Sequence, residues 1–166
     1  MLHPEVDRTV QWSVLDRLID ANPDSAAEPP FTWAQSVREL KRGLRRDLEW
    51  LLNTRRIVVP APAGMTELEQ SLYHYGLPDI TSASSESTDR RNWLRRQVEE
   101  TIRVFEPRLT DVHVSVEAVG DLARREVRFV VEALLQMEPS PEQVVFDTVL
   151  EISSATFEVK GAGADA

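Results

Sequence analysis

The chain has 166 residues, 19 lysines and arginines against 28 aspartates and glutamates, no cysteine, and a formal net charge of −9. That length suits one domain of ordinary size, and the missing cysteine excludes disulfides, thiol nucleophiles, iron–sulfur clusters and cysteine-based zinc sites. The acidic balance repels phosphate and argues against non-specific binding to nucleic acid or anionic lipid, although a local basic patch can override it.

The opening MLHPEVDRTVQW carries acids and a proline where a secretory signal would carry an apolar run. No stretch approaches the roughly 18 apolar residues of a membrane span. The expected location is therefore the cytoplasm. Val14, Leu15, Leu18 and Ile19 recur at helical spacing, with Val10 extending the stripe backwards. Ser13 is the expected N-cap and Asp16 stands in the capping-box position. Pro23, Pro29 and Pro30 then predict a loop or tether, so this short helix docks either on its own domain or on a partner. The domain division expected is 1–30 for helix and tether, 31–160 for the body and 161–166 for a flexible tail.

From Thr32 to about Thr54, the series Val37, Leu40, Leu44, Leu48 and Leu51 makes one apolar stripe, capped by Thr32. Trp50 is rotated by about 200° from Leu48 and must meet a second surface. The prolines of RIVVPAPAG predict a connector with at most a short strand. Thr66 is expected to cap a short helix carrying Leu68 and Leu72, which Gly76 and Pro78 end. A further helix, capped at Thr88 or Asp89, runs to Phe105 with Trp93 or Leu94, Val98, Ile102 and Phe105 inward, and Pro107 stops it.

After Arg108 the period falls to two. Val112, Val114 and Val116 predict one half-buried strand. Gly120 to Arg125 predicts a turn, and Val127, Phe129, Val131, Ala133 and Leu135 the inward face of a second strand. Phe146, Thr148, Leu150 and Ile152 predict a third strand continuing through Phe157 and Val159. Helices followed by strands give an α+β fold, amino-terminal helices packed on a small, mostly antiparallel sheet.

The residues offer little to catalysis. His3, His74 and His113 form no metal motif, no phosphate-binding loop is present, and spacing selects no pair among the 28 carboxylates. No catalytic residue, cofactor or metal is expected. The arginine-rich runs are interspersed with Glu39, Asp47, Glu49, Asp89, Glu99 and Glu100, which predicts salt-bridged outer faces rather than a nucleic-acid site. The most specific local feature is Glu106-Pro107-Arg108, whose charges either pair with each other or face a partner.

Four stretches, SVLDRL (13–18), LRRDLEWLLNTRR (44–56), YGLPD (75–79) and FEPRL (105–109), resemble, in the family's order, the TssE family of type VI secretion baseplate proteins, itself similar to the wedge protein of contractile-phage baseplates. The resemblance implies a structural, non-enzymatic cytoplasmic subunit at the inner face of the inner membrane. It would join wedge proteins of the TssF, TssG and TssK type and help start the contractile sheath, with no nucleic acid, membrane insertion or small-molecule substrate. It places Glu106, Pro107 and Arg108 at the wedge interface and makes Ser13, Leu15, Asp16 and Leu18 a docking segment. Arg55 and Arg56 are either caps or contacts, and Trp50 meets either another element of this chain or a partner, so all three are possible interface residues. With a strand platform for the sheath, the segment Val145–Ile152, or its continuation to Val159, is expected to be the receiving edge. The alternatives are a small adaptor that binds a regulatory protein and, on the lysozyme-like label of such relatives, a cell-wall hydrolase.

Overall fold

The computed structural model describes residues 10, 12–19, 32–80, 88–117 and 126–161. Among these the order is α1 (Val14–Leu18), α2 (Trp33–Asn53), α3 (Thr66–Glu69), a 3-10 turn at Leu72–His74, α4 (Thr88–Phe105), then β1 (Leu109–Glu117), β2 (Glu126–Leu135), β3 (Glu142–Glu151) and β4 (Thr156–Gly161). The strands form one antiparallel sheet in the order β1-β2-β3-β4. This is the α+β arrangement the change of period predicts.

Local chemistry sets the long helices. Thr32 and Gln35 close a reciprocal capping box at the start of α2, and Leu40, Leu44, Leu48, Leu51 and Leu52 bury one side of it. In α4 the buried side is Leu94, Val98, Thr101 and Ile102. Both helices close over the sheet, α2 beside β4 and α4 beside β1. Every second residue of β2, from Val127 to Leu135, points into this core. Phe129 and Phe157 meet in it with ring centroids 6.2 Å apart.

Three local expectations are corrected. Thr66 is the first residue of α3 rather than its cap, Met65 at the cap position makes no side-chain cap bond, and Leu72 is exposed. The third strand does not run on through Phe157: the chain turns at Ser153–Ala155, where Ala155 takes φ +54°, and returns as β4. The segment Val145–Ile152 is consequently no free edge, because Phe146–Glu151 is paired with β2 on one side and β4 on the other. The tether at 20–31, the loop at 81–87, the turn at 118–125 and tail residues 162–166 lie outside the described residues.

The two sheet margins are treated differently. On β1, the outward carbonyls of Val112 and Val114 accept from Arg103 (2.7 Å) and Arg95 (3.2 Å), and the Val114 N–H donates to Glu99 (3.1 Å). Side chains of α4 therefore cover that edge. On β4, the Asn53 amide donates to the Phe157 carbonyl and accepts from its N–H, both at 2.8 Å, a clamp at one residue.

Candidate functional site

The turn after α4 is built by Glu106-Pro107-Arg108. The Leu109 N–H donates to the Glu106 carbonyl at 3.1 Å, which puts Pro107 at the second position of a β-turn, where its fixed φ is favourable. Pro107 is exposed, Glu106 is buried with 5% exposure and Arg108 is half-buried. The guanidinium of Arg108 grips Glu106 through Nε to Oε1 and Nη2 to Oε2, both at 2.6 Å, and Nη2 also reaches Asp47 on α2 at 2.7 Å. The two charges of the motif thus pair with each other, and a second acid, Asp47, completes the set.

The pairing continues. Asp47 also accepts from Arg46 (2.8 Å), and Arg46 donates to Asp16 of α1 at 2.8 Å. Five charges alternate in sign across the molecule: Glu106, Arg108, Asp47, Arg46, Asp16. Hydrogen bonds from Arg108 to Glu106, against the cost of burial and with the field of both acids, hold the Arg108 guanidinium even more firmly protonated than usual. Burial raises the Tyr75 hydroxyl above its ordinary value, and the charges of Asp47 and Glu106 add to that.

This chain of charges docks α1. Ser13 caps the helix by accepting from the Asp16 N–H (3.0 Å), and its hydroxyl donates to the Asp16 carboxylate at 2.6 Å. The carboxylate rests against Gly43, where a Cβ would lie only 2.9–3.2 Å from it. No residue of α1 is buried: Val14 is 67% exposed and Leu18 76%, with Leu15 and Ile19 also exposed. The polar side of the helix faces the body and the apolar side faces outward. Val10 packs against the core just before it.

Gly43→Ala is expected to lift α1 without harming α2. Alanine strengthens a helix interior by roughly 1 kcal/mol over glycine, while its methyl displaces the Asp16 carboxylate. Hydrogen exchange over residues 14–18 should accelerate with global stability unchanged or raised; unchanged exchange would show that Asp16 does not hold α1. Acid should release it as well. Burial pushes the Asp16 carboxyl up, but hydrogen bonds from Ser13 and Arg46 outweigh this and hold it below its ordinary 3.8. A depressed carboxylate stabilises docking above pH 3.8, and that contribution is lost as pH falls through the lower docked value.

The other expected positions divide by role. Trp50 is 53% exposed, and its ring is covered on one side by Arg46 at 5.0 Å. Arg56 is a brace, donating to the Gly76 carbonyl (3.0 Å) and to Thr101 of α4 (3.1 Å), whereas the Arg55 side chain is exposed beside a single bridge to Leu77. Sequence reasoning missed Asp47, Arg46 and Gly43. Asp47 was visible only as one more acid in a charged helix face, and its contact with Arg108 crosses 61 positions.

One guanidinium bridges Glu106 and Asp47, and the apolar pocket between Ile80, Leu94, Val127 and Leu150 measures about 20 Å³, room for one water. Among the described residues no cluster of three histidines or acids could hold a metal, and no helix is long and apolar enough to cross a membrane. The family model of the baseplate wedge protein gp25 matches residues 38–140, more than half of the chain, from the first turns of α2 to the turn before β3. No curated protein matches.

Proposed function

The chain belongs to the family of the baseplate wedge protein gp25, and from that premise we propose that it serves in a type VI secretion baseplate, joining TssF-, TssG- and TssK-type wedge proteins and giving the contractile sheath a strand platform on which to start. A structural role in a phage-tail-like baseplate, in contact with other baseplate proteins, is what the family carries. The type VI assignment rests on SVLDRL, LRRDLEWLLNTRR, YGLPD and FEPRL taken together. Residues 1–30 act as a docking arm and 31–160 as the wedge body, assembled in the cytoplasm against the inner membrane. The protein is a scaffold rather than a hydrolase, which accords with a Glu106–Arg108–Asp47 cluster spent on internal pairing.

The observation that carries the interface reading is the orientation of α1. A helix held by Ser13, Asp16 and Arg46 presents Val14, Leu18 and Ile19 to solvent, which suits a surface covered in an assembly. Glu106, Pro107 and Arg108 serve the same interface by fixing the turn beneath it, with Pro107 and the outer part of Arg108 available for contact. Trp50 and Arg55 extend the surface.

Co-expression with the candidate wedge proteins tests this. Val14→Glu with Leu18→Glu should leave folding within about 0.5 kcal/mol of wild type, because both positions are exposed. The wild type should co-purify with the wedge proteins and the double variant should not. A variant complex of undiminished stability would remove α1 from the interface, and no wild-type complex at all would overturn the wedge reading.

A further inference from the structure

The longest run of non-polar residues in the chain lies on its surface. Residues 57–65, IVVPAPAGM, carry no polar side chain; eight of the nine are exposed and Ala61 is half-buried. Val58 is 87% exposed and Val59 58%. A contiguous exposed apolar stretch of this kind marks a place where another surface docks.

The segment is stiff and tied at both ends. Each proline fixes its own φ and bars the helical region to the residue before it, so Val59, Pro60, Ala61 and Pro62 are all held extended. Among the described residues no backbone hydrogen bond forms from residue 57 to 61, as in a polyproline rod. At the head, the Arg56 N–H donates to the Leu77 carbonyl (2.7 Å), and its guanidinium donates to the Gly76 carbonyl (3.0 Å) and Thr101 (3.1 Å). At the foot, the Met65 N–H donates to the Pro62 carbonyl at 3.1 Å and closes a turn through Gly64, whose φ is +88°. Between these ties residues 58–62 span about 12 Å at the polyproline rise.

The chemistry of the rod selects what can cover it. Pro60 and Pro62 have no N–H, and positions two apart on an extended chain face the same way, so one edge lacks donors and strand addition is disfavoured. What remains is two flat proline rings, two valines and carbonyls without backbone partners. A groove lined with aromatic rings and N–H donors matches that set. Charge appears at the ends of the rod, with Arg55 exposed ahead of it and Glu67 and Glu69 exposed after it. A polyproline rod looks much the same in either direction, so these end charges orient it: an acid of the groove faces Arg55 and a base faces Glu67 and Glu69.

We propose that residues 58–62 are a pre-formed proline ligand that seats in an aromatic-lined groove of another baseplate protein, oriented by Arg55 at one end and Glu67 and Glu69 at the other. Because the rod is rigid before it binds, little ordering entropy is lost on docking. For the identity of the protein that carries the groove, the proposal rests on the wedge reading above. It adds a contact that α1 does not supply.

The test co-expresses the full chain with the candidate wedge proteins and compares the wild type with three double variants. Val58→Asp with Val59→Asp should melt with the wild type, because both side chains are exposed, and should weaken the complex at least about tenfold. Pro60→Gly with Pro62→Gly keeps the valines but loosens the rod, and should weaken the complex several-fold. Arg55→Glu with Glu67→Lys reverses the end charges and should weaken it as well. In the wild-type complex, peroxide oxidation of Met65, which is exposed in the free chain, should slow. A wild-type complex that the valine variant matches, or in which Met65 oxidises as fast as in the free chain, overturns the proposal and leaves the wedge reading standing. A complex undiminished in the proline variant overturns the pre-formed rod, and one indifferent to charge reversal overturns its orientation. A wild type that is a dimer by light scattering and a monomer as Val58→Asp with Val59→Asp makes a second copy the occupant and overturns it too. No wild-type complex with any wedge protein overturns the wedge reading, and the proposal with it.

Discussion

Arg108→Ala should destabilise the domain by about 3 kcal/mol, more than loss of an exposed ion pair would explain. The reason lies in what the substitution leaves behind. Glu106 is only 5% exposed, and the Arg108 guanidinium donates to both of its carboxylate oxygens. Without the guanidinium an anion stays buried with only the Arg108 backbone N–H, at 3.3 Å, still directed at it. Asp47 suffers less, because Arg46 still holds it. Adding Glu106→Gln to Arg108→Ala should recover a good part of the loss, since a neutral amide costs less to bury than a carboxylate. Denaturant titration of the two variants reads both effects. A loss under about 1 kcal/mol for Arg108→Ala would mean the pair behaves as a solvated one and is no structural element of the turn. The result also governs interface work: a complex lost on mutating Glu106 or Arg108 reports on folding first, so α1 is the cleaner probe.

Gly76→Ala should cost about as much or more, roughly 3–5 kcal/mol, by a different route. Gly76 adopts φ +99°, and a Cβ there would sit 2.2 Å from the Thr54 carbonyl oxygen. The clash is with backbone, so the segment must move. Moving it strains two bonds that join the YGLPD stretch to the end of α2: Leu77 N–H to Thr54 C=O at 2.9 Å and Arg56 N–H to Leu77 C=O at 2.7 Å. It also disturbs Arg56, which ties the Gly76 carbonyl to Thr101 of α4. Gly64→Ala is the matched control, because Gly64 has φ +88° but nothing within 4 Å of the added methyl. It should cost only the backbone strain, about 1–2 kcal/mol. Thermal melts of the pair separate strain from collision; equal shifts would show that the approach to Thr54 is not limiting.

Both predictions rest on residues whose type was legible early and whose reason was not. YGLPD was readable as a helix stop, yet Gly76 is required by the carbonyl of a residue 22 positions earlier, at the end of another helix. Glu106 and Arg108 were readable as flanking charges that either pair or face outward, and burial settles the choice in favour of pairing. The apolar stripe Val14, Leu15, Leu18 and Ile19 suggested a face to be buried. In the folded chain that face is turned out, because Asp16 and Ser13 on the other side of the helix find Arg46 and the space left by Gly43. A hydrophobic pattern reports that a helix has two faces; it does not report which one the body takes when a polar contact competes.

Read alone, the order of residues was enough for the α+β class, the limits of α2, the end of α4, the inward series of β2 and the family resemblance. Each of these is written in neighbours three to four apart on a helix or two apart on a strand, with caps and breakers at the ends. Thr88 and Asp89, expected as caps, are the first residues of α4 itself. Tertiary structure decided the rest. The docking of α1 joins residues 30 apart, the bridge from α2 to the Glu106 turn joins residues 61 apart, and the clamp on β4 joins residues 104 apart. Contacts between distant positions leave no period in a sequence, because they are selected by the packing of whole elements and not by the spacing within one.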